Sequence, residues 1–208
     1  MPMELATLVA PAHTAFVTQE CQNGVIGDPA VFPVLAEAAR ASGMIDNCGR
    51  LAKAARTAGL TVAHVVAVHR PDGRGSNRNA RVFAAARKSS MSLEPGSEAA
   101  KVVPEIGVEP GDLLIERYHG LGPMFGTGLD PILRNAGVTT IVGVGVSVNV
   151  GMTNFAMDAV NLGYQFVLPR DAVAGVPADY AEAMIEHTLS YVATVVSTED
   201  VVRAWESA

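Results

Sequence analysis

Short valine-rich runs recur along the chain, each separated from the next by a stretch with helical spacing, and that alternation restricts it to parallel α/β construction. Ala15–Glu20, Thr61–His69, Leu113–Glu116, Thr140–Val144 and Gln165–Leu168 read as strands, and Val192–Ser197 supplies a sixth. Among the helices, Ile45–Ala58 places Ile45, Leu51 and its alanines on one face before Gly59 ends it. Val150–Leu162 and Tyr180–Tyr191 are further helices, and Thr198 is the expected cap of a last one containing Trp205. The expectation is one Rossmann-like, three-layer domain over 1–208, with a mostly parallel sheet of about six strands.

With 208 residues, 49% of them hydrophobic, the chain is long enough for one substantial core. No run approaches the roughly 18 apolar residues of a membrane span, and Met1–Ala12 lacks a basic start and an apolar signal core. A cytoplasmic protein without membrane partners is expected. Cys21 and Cys48 have neither metal-ligand spacing nor the look of a disulfide framework, in keeping with a reducing compartment. The net charge of −6 argues against nucleic acid as a partner.

In parallel sheets, ligands bind beyond the carboxyl ends of the strands. Glu20, His69, Arg117 and the turn from Ser147 to Gly151 all fall at such ends and point to a single site. Cys21 adjoins Glu20 but faces the other way as a packed thiol, and Cys48 is structural. The GVGVS stretch lacks the G-x-G-x-x-G spacing of a dinucleotide fingerprint, so no cofactor is expected.

Three passages resemble the isochorismatase-like hydrolases, also called the cysteine hydrolase family. Residues 139–164, TTIVGVGVSVNVGMTNFAMDAVNLGY, are similar to that family's G-V-x-T-N-x-C-V followed by T-A-x-D-A-x-x-x-G-Y, with Gly151 standing at the cysteine. HTAFVTQECQNGVIG resembles the first strand, A-L-L-V-I-D-x-Q-N-D-F. Anchored on Gln22 and Asn23, Glu20 takes the place of the acid/base aspartate. VVPEIGVEPGDLLIERYHGLGPMFGTGLDPILRNAGV resembles P-E-L-x-P-x-x-G-D-x-x-I-x-K and S-A-F-x-G-T-x-L-x-x-x-L-R, with one extra residue before Phe125 and Arg117 at the catalytic lysine.

The resemblance therefore implies a catalytic group of Glu20, Arg117 and Gly151 in which every member departs from the usual pattern. A thiol at a helix N-terminus is activated by the helix dipole, and Gly151 has none to offer. True isochorismatases, which also tend to carry glycine here, protonate a vinyl ether and let water trap the oxocarbenium ion. That reaction suits Glu20, and Arg117, which stays charged, would hold a substrate carboxylate rather than carry protons.

The same resemblance implies substrate contacts from Gln22, His69 and Ser147, a pocket wall of Tyr118, His119 and Phe125, and a turn held by Asn149. It also implies a cis bond between Val146 and Ser147 and a homo-oligomer, dimer or tetramer. A cysteine restored at 151 is expected to be an activated thiol.

HRPDGRGSNRNARVFAAARKSS carries Arg70, Arg74, Arg78, Arg81, Arg87 and Lys88 against the single acid Asp72, in a chain with 15 Lys and Arg overall. Lying after the second strand, it belongs to an expected lid over 70–100 that gathers a small anionic molecule, or else it is a solvated loop or a subunit contact. Zinc-binding members of the family place an aspartate and histidines nearby. Here His69 and Asp72 occur without an Asp-x-His pair, so no metal is expected. Two readings stay open: a cysteine-independent hydrolase, favoured by a carboxyl in an apolar pocket with room for a ring, and a non-catalytic ligand-binding or assembly protein, favoured by a tight Glu20–Arg117 pair.

Overall fold

The computed structural model describes residues 3–208. Helix α1 (Leu5–Leu8) and a 3-10 turn lead into β1 (Thr14–Gln19), followed by α2 (Asn23–Ile26), α3 (Pro33–Ala41), α4 (Met44–Thr57) and β2 (Thr61–Ala67). After α5 (Arg81–Ala86) come β3 (Leu113–Arg117), α6 (Leu129–Asn135), β4 (Thr140–Val146), α7 (Thr153–Asn161) and β5 (Gln165–Pro169). The chain closes with β6 (Val173–Ala174), α8 (Ala178–His187), β7 (Thr194–Val196) and α9 (Thr198–Glu206). All strand pairings are parallel, in the order β3-β2-β1-β4-β5-β7, with β6 added beside the end of β4.

This is the three-layer α/β domain that the apolar runs imply. β1 and β4 are buried at every position because helices cover both faces. On one side Phe16 meets Trp205 edge to face, ring centroids 6.4 Å apart, and the indole N–H donates to the Val9 carbonyl at 2.9 Å. On the other, Phe155 of α7 stands edge to face on Phe166 of β5 at 4.9 Å. No helix among the described residues is long and apolar enough to cross a membrane.

Some boundaries differ from the sequence reading. The chain does not enter a helix at Val150. A wide π-type turn over Val148–Met152 precedes α7, with the Ser147 carbonyl accepting from the amides of Val150 and Met152. Tyr180–Tyr191 divides into α8 and a 3-10 turn over Leu189–Tyr191. The last helix is capped by Ser197, not Thr198: Ser197 Oγ accepts from the Asp200 amide and the Asp200 carboxylate accepts from the Ser197 amide, a capping box. Thr198 gives its amide and hydroxyl to Asp171 at 2.7 and 2.9 Å.

A buried polar cluster ties β1, β2 and α4 to the segment ahead of β3. His64 Nδ1 lies 2.9 Å from Thr18 Oγ1 and Nε2 lies 3.2 Å from Asp112 Oδ2, while Arg56 donates to Asp112 at 2.7 Å and to the carbonyls of Ile106 and Gly107. Burial holds the His64 imidazole below its usual 6.5 despite Asp112, so the ring is neutral, donating from Nε2 and accepting the Thr18 proton at Nδ1. Burial also works to raise the Asp112 carboxyl, but hydrogen bonds from Arg56, the Glu109 amide and His64 together keep it below 3.8.

The unfolded chain binds a proton at His64 that the folded chain refuses. This stabilisation is complete above about pH 6.5 and is lost as pH falls, with Asp112 adding a loss of the same sign at lower pH. His64→Gln should therefore flatten the fall in melting temperature between about pH 7 and 5. Identical pH slopes for variant and parent in calorimetry would refute this role.

Candidate active site

The strand order reverses between β1 and β4: β2 and β3 lie to one side of that pair and β5 and β7 to the other. The carboxyl ends of β1 and β4 thus open onto the switch-point crevice of the sheet. Glu20, one residue past β1, has φ +55° and is the only non-glycine residue among those described with positive φ. That conformation is disfavoured for a side chain with a Cβ, and it turns the carboxyl off the strand direction.

The Glu20 carboxyl meets Arg117, the last residue of β3. Arg117 Nη2 pairs with Glu20 Oε1, and Nη1 donates to the carbonyls of Gly120 and, at 3.1 Å, His119. The Arg117 side chain is 6% exposed, and its Nε is sealed from solvent without a partner. Glu20 keeps 22% of its side-chain surface, and its second oxygen takes no hydrogen bond from any described residue. Burial pushes its carboxyl above the usual 4.5, and the guanidinium pulls against that rise.

Gly151 lies against the end of β1. A Cβ on Gly151 would stand under 3.0 Å from Gln19 Nε2 and 3.1 Å from the Val146 carbonyl. A cysteine at 151 would therefore require the Gln19 carboxamide to move aside and the Val146 carbonyl to give by a few tenths of an ångström. Nearby, Gly145 has φ +121° and lies against the Gln19 carbonyl, where any side chain would collide. The bond between Val146 and Ser147 is cis.

Residues 14–200 match the Isochorismatase domain. The chain belongs to the isochorismatase family. It is 35% identical over 109 residues to the uncharacterized isochorismatase family protein YwoC of Bacillus subtilis, an alignment spanning 52% of this chain and 57% of YwoC. It is 28% identical to the ureidoacrylate amidohydrolase RutB of Rhizobium rhizogenes, over 89% of this chain and 81% of that protein. The solved structure of an isochorismatase family protein from Burkholderia thailandensis superposes with a TM-score of 0.76 at 27% identity, covering 94% of this chain and 96% of that one.

Within this isochorismatase fold, the other residues singled out in the sequence are dispersed. His119 and Phe125 line a cleft of about 460 Å³, together with Asn77, Phe83, Asn154 and Asp158. Tyr118 turns outward and donates to Glu116 at 2.9 Å. Gln22 is buried and pairs through both ends of its amide with the backbone of Ala67, at 2.9 and 2.6 Å. His69 Nε2 accepts from the Leu93 amide and its backbone amide bonds the Leu93 carbonyl, so it staples the two ends of the basic segment. Asn149 donates to the Val176 carbonyl at 3.1 Å, tying the turn to the segment ahead of α8. Cys21 and Cys48 are free and buried.

The basic segment reaches the cleft through uncharged groups: Asn77 Oδ1 accepts the Gly120 amide at 2.7 Å, and Phe83 of α5 forms a wall. Arg70 is held by Asp72, while Arg74, Arg78 and Arg81 are exposed and have no acidic partner among the described residues. The sequence reading missed Gln19, Asn77, Phe83, Asn154 and Asp158. A signal for Gln19 was present, since a carboxamide at the end of a buried strand needs partners.

If Arg117 restrains the Glu20 carboxyl, Arg117→Met should raise its titration midpoint further, as followed by ¹³C NMR of the carboxyl carbon. An unmoved midpoint would show that the two charges are not coupled.

Proposed function

We propose that the protein is an isochorismatase-like hydrolase that works without a cysteine, with Glu20 as general acid on a small anionic substrate. The observation that carries this reading is the Glu20 carboxyl: it sits at the switch point, burial raises its proton affinity, and one oxygen is left free. On a vinyl ether, Glu20 would deliver its proton to the alkene carbon. Water then adds to the oxocarbenium carbon and returns a proton to the carboxylate, and the hemiketal collapses to a carbonyl compound and an alcohol. Gly151, read as standing at the family's cysteine, agrees with a route that needs no protein nucleophile.

The anionic character of the substrate is supported by Arg117, by the exposed Arg74, Arg78 and Arg81, and by the likeness to RutB, whose named substrate is itself a carboxylate. A second reading, a non-catalytic ligand-binding or assembly protein, has its own observation. The Glu20–Arg117 pair is closed, Arg117 is further engaged by two loop carbonyls, and neither it nor Gly151 can relay a proton. A cytoplasmic location and a homo-oligomeric state belong to the same proposal.

Screening vinyl-ether and amide carboxylates for turnover separates the readings. Activity found this way should survive iodoacetamide and fall by about 10²–10⁴ in Glu20→Gln. Inhibition by iodoacetamide that tracks alkylation of Cys21, or no turnover across the series, would sink the proposal. Neutralising Arg74, Arg78 and Arg81 together should raise the apparent Kd of the anionic substrate and flatten its salt dependence. Unchanged affinity would leave these arginines as a solvated loop, and a changed oligomeric state would make them an interface.

A further inference from the structure

Gln19 ends β1 with no exposed surface, in a strand whose every position is buried, Thr14 and Thr18 included. Its Nε2 donates to the carbonyls of Val146 and Leu121, both at 3.3 Å, so one amide joins the ends of β1 and β4 to the loop after β3. The orientation follows from these partners, because the reversed amide would turn its oxygen toward two carbonyl oxygens. With the amide so placed, Oε1 is buried and unpartnered. An amide is thus kept where an aliphatic side chain would leave no such atom unsatisfied.

An independent steric observation involves the same group. The nearest atom to a Cβ built on Gly151 is Gln19 Nε2, and Gln19 Cδ lies 3.4 Å from it. We propose that Gln19 is a positioning residue of this site: it holds the Leu121 loop over the ends of β1 and β4, and it reserves position 151 for glycine. Gln19 and a side chain at 151 are alternative occupants of one space. The group that a side chain at 151 would have to displace thus comes from β1, not from the turn that carries Gly151. The inference stands whether or not Glu20 turns over a substrate, since it concerns packing and the loop alone.

Two replacements of Gln19 separate its roles. Gln19→Leu keeps most of the volume and removes the hydrogen bonds, whereas Gln19→Ala removes both. In Gln19→Leu the Gly120 amide, held by Asn77 next to the Leu121 carbonyl, should exchange with deuterium about tenfold faster than in the parent. Gly151→Ala should lower the denaturant midpoint in the parent and in Gln19→Leu, but not in Gln19→Ala.

Unchanged exchange at Gly120 in Gln19→Leu would overturn the latch. Equal destabilisation by Gly151→Ala in the parent and in Gln19→Ala would overturn the shared space and make the Val146 carbonyl the obstacle. Should Gly151→Ala alone fail to fold, the double variant decides: a folded Gln19→Ala/Gly151→Ala protein supports the proposal, and an unfolded one refutes it.

Discussion

The guanidinium of Arg117, buried at the end of a parallel strand, is the constraint around which this end of the molecule is arranged. A buried cation without partners costs several kcal/mol, so the surroundings must supply acceptors. They come from two directions, the Glu20 carboxylate and the carbonyls of His119 and Gly120. Meeting that demand requires Glu20 to leave the β region and the loop after β3 to fold inward. The Leu121 carbonyl continues the inward turn, so three consecutive carbonyls face the strand ends and are received by Arg117 and Gln19.

The scaffold that positions these groups asks little of them. Its cores are apolar, its helices cover both faces of the sheet, and the strand reversal creates a crevice whatever residues border it. The same fold can therefore accept different residues around that crevice without loss of its architecture. The His64–Asp112–Arg56 cluster also orders hydroxyl, imidazole and carboxylate in line, yet it lies within the core, where no substrate reaches, and it acts as a brace between β1, β2 and α4.

The strands and the carboxyl-end location of Glu20 and Arg117 were legible in the sequence because they rest on local patterns, namely apolar runs and short motifs. What was not legible depended on pairing across the chain. Gln19 meets Leu121 and Val146 from 102 and 127 residues away, and no local spacing announces such partners. Gln22 and His69 have the chemistry of ligand contacts, but their polar atoms are taken by the backbone of Ala67 and Leu93. Tyr118 is spent on Glu116, two residues back, and is not part of the cleft. Ser197 could have been preferred over Thr198 on local grounds, since Asp200 stands three residues beyond it as a capping box requires.

The inward loop also bears on how tightly anything can bind. With its own carbonyls seated on Arg117, the protein carries an internal competitor, and an arriving carboxylate gains only the difference between its bonds and those it displaces. The apparent affinity of any ligand for that guanidinium would be its intrinsic affinity discounted by the fraction of molecules whose carbonyls have released it. The unpartnered Nε offers no way around that discount, because it is sealed from solvent.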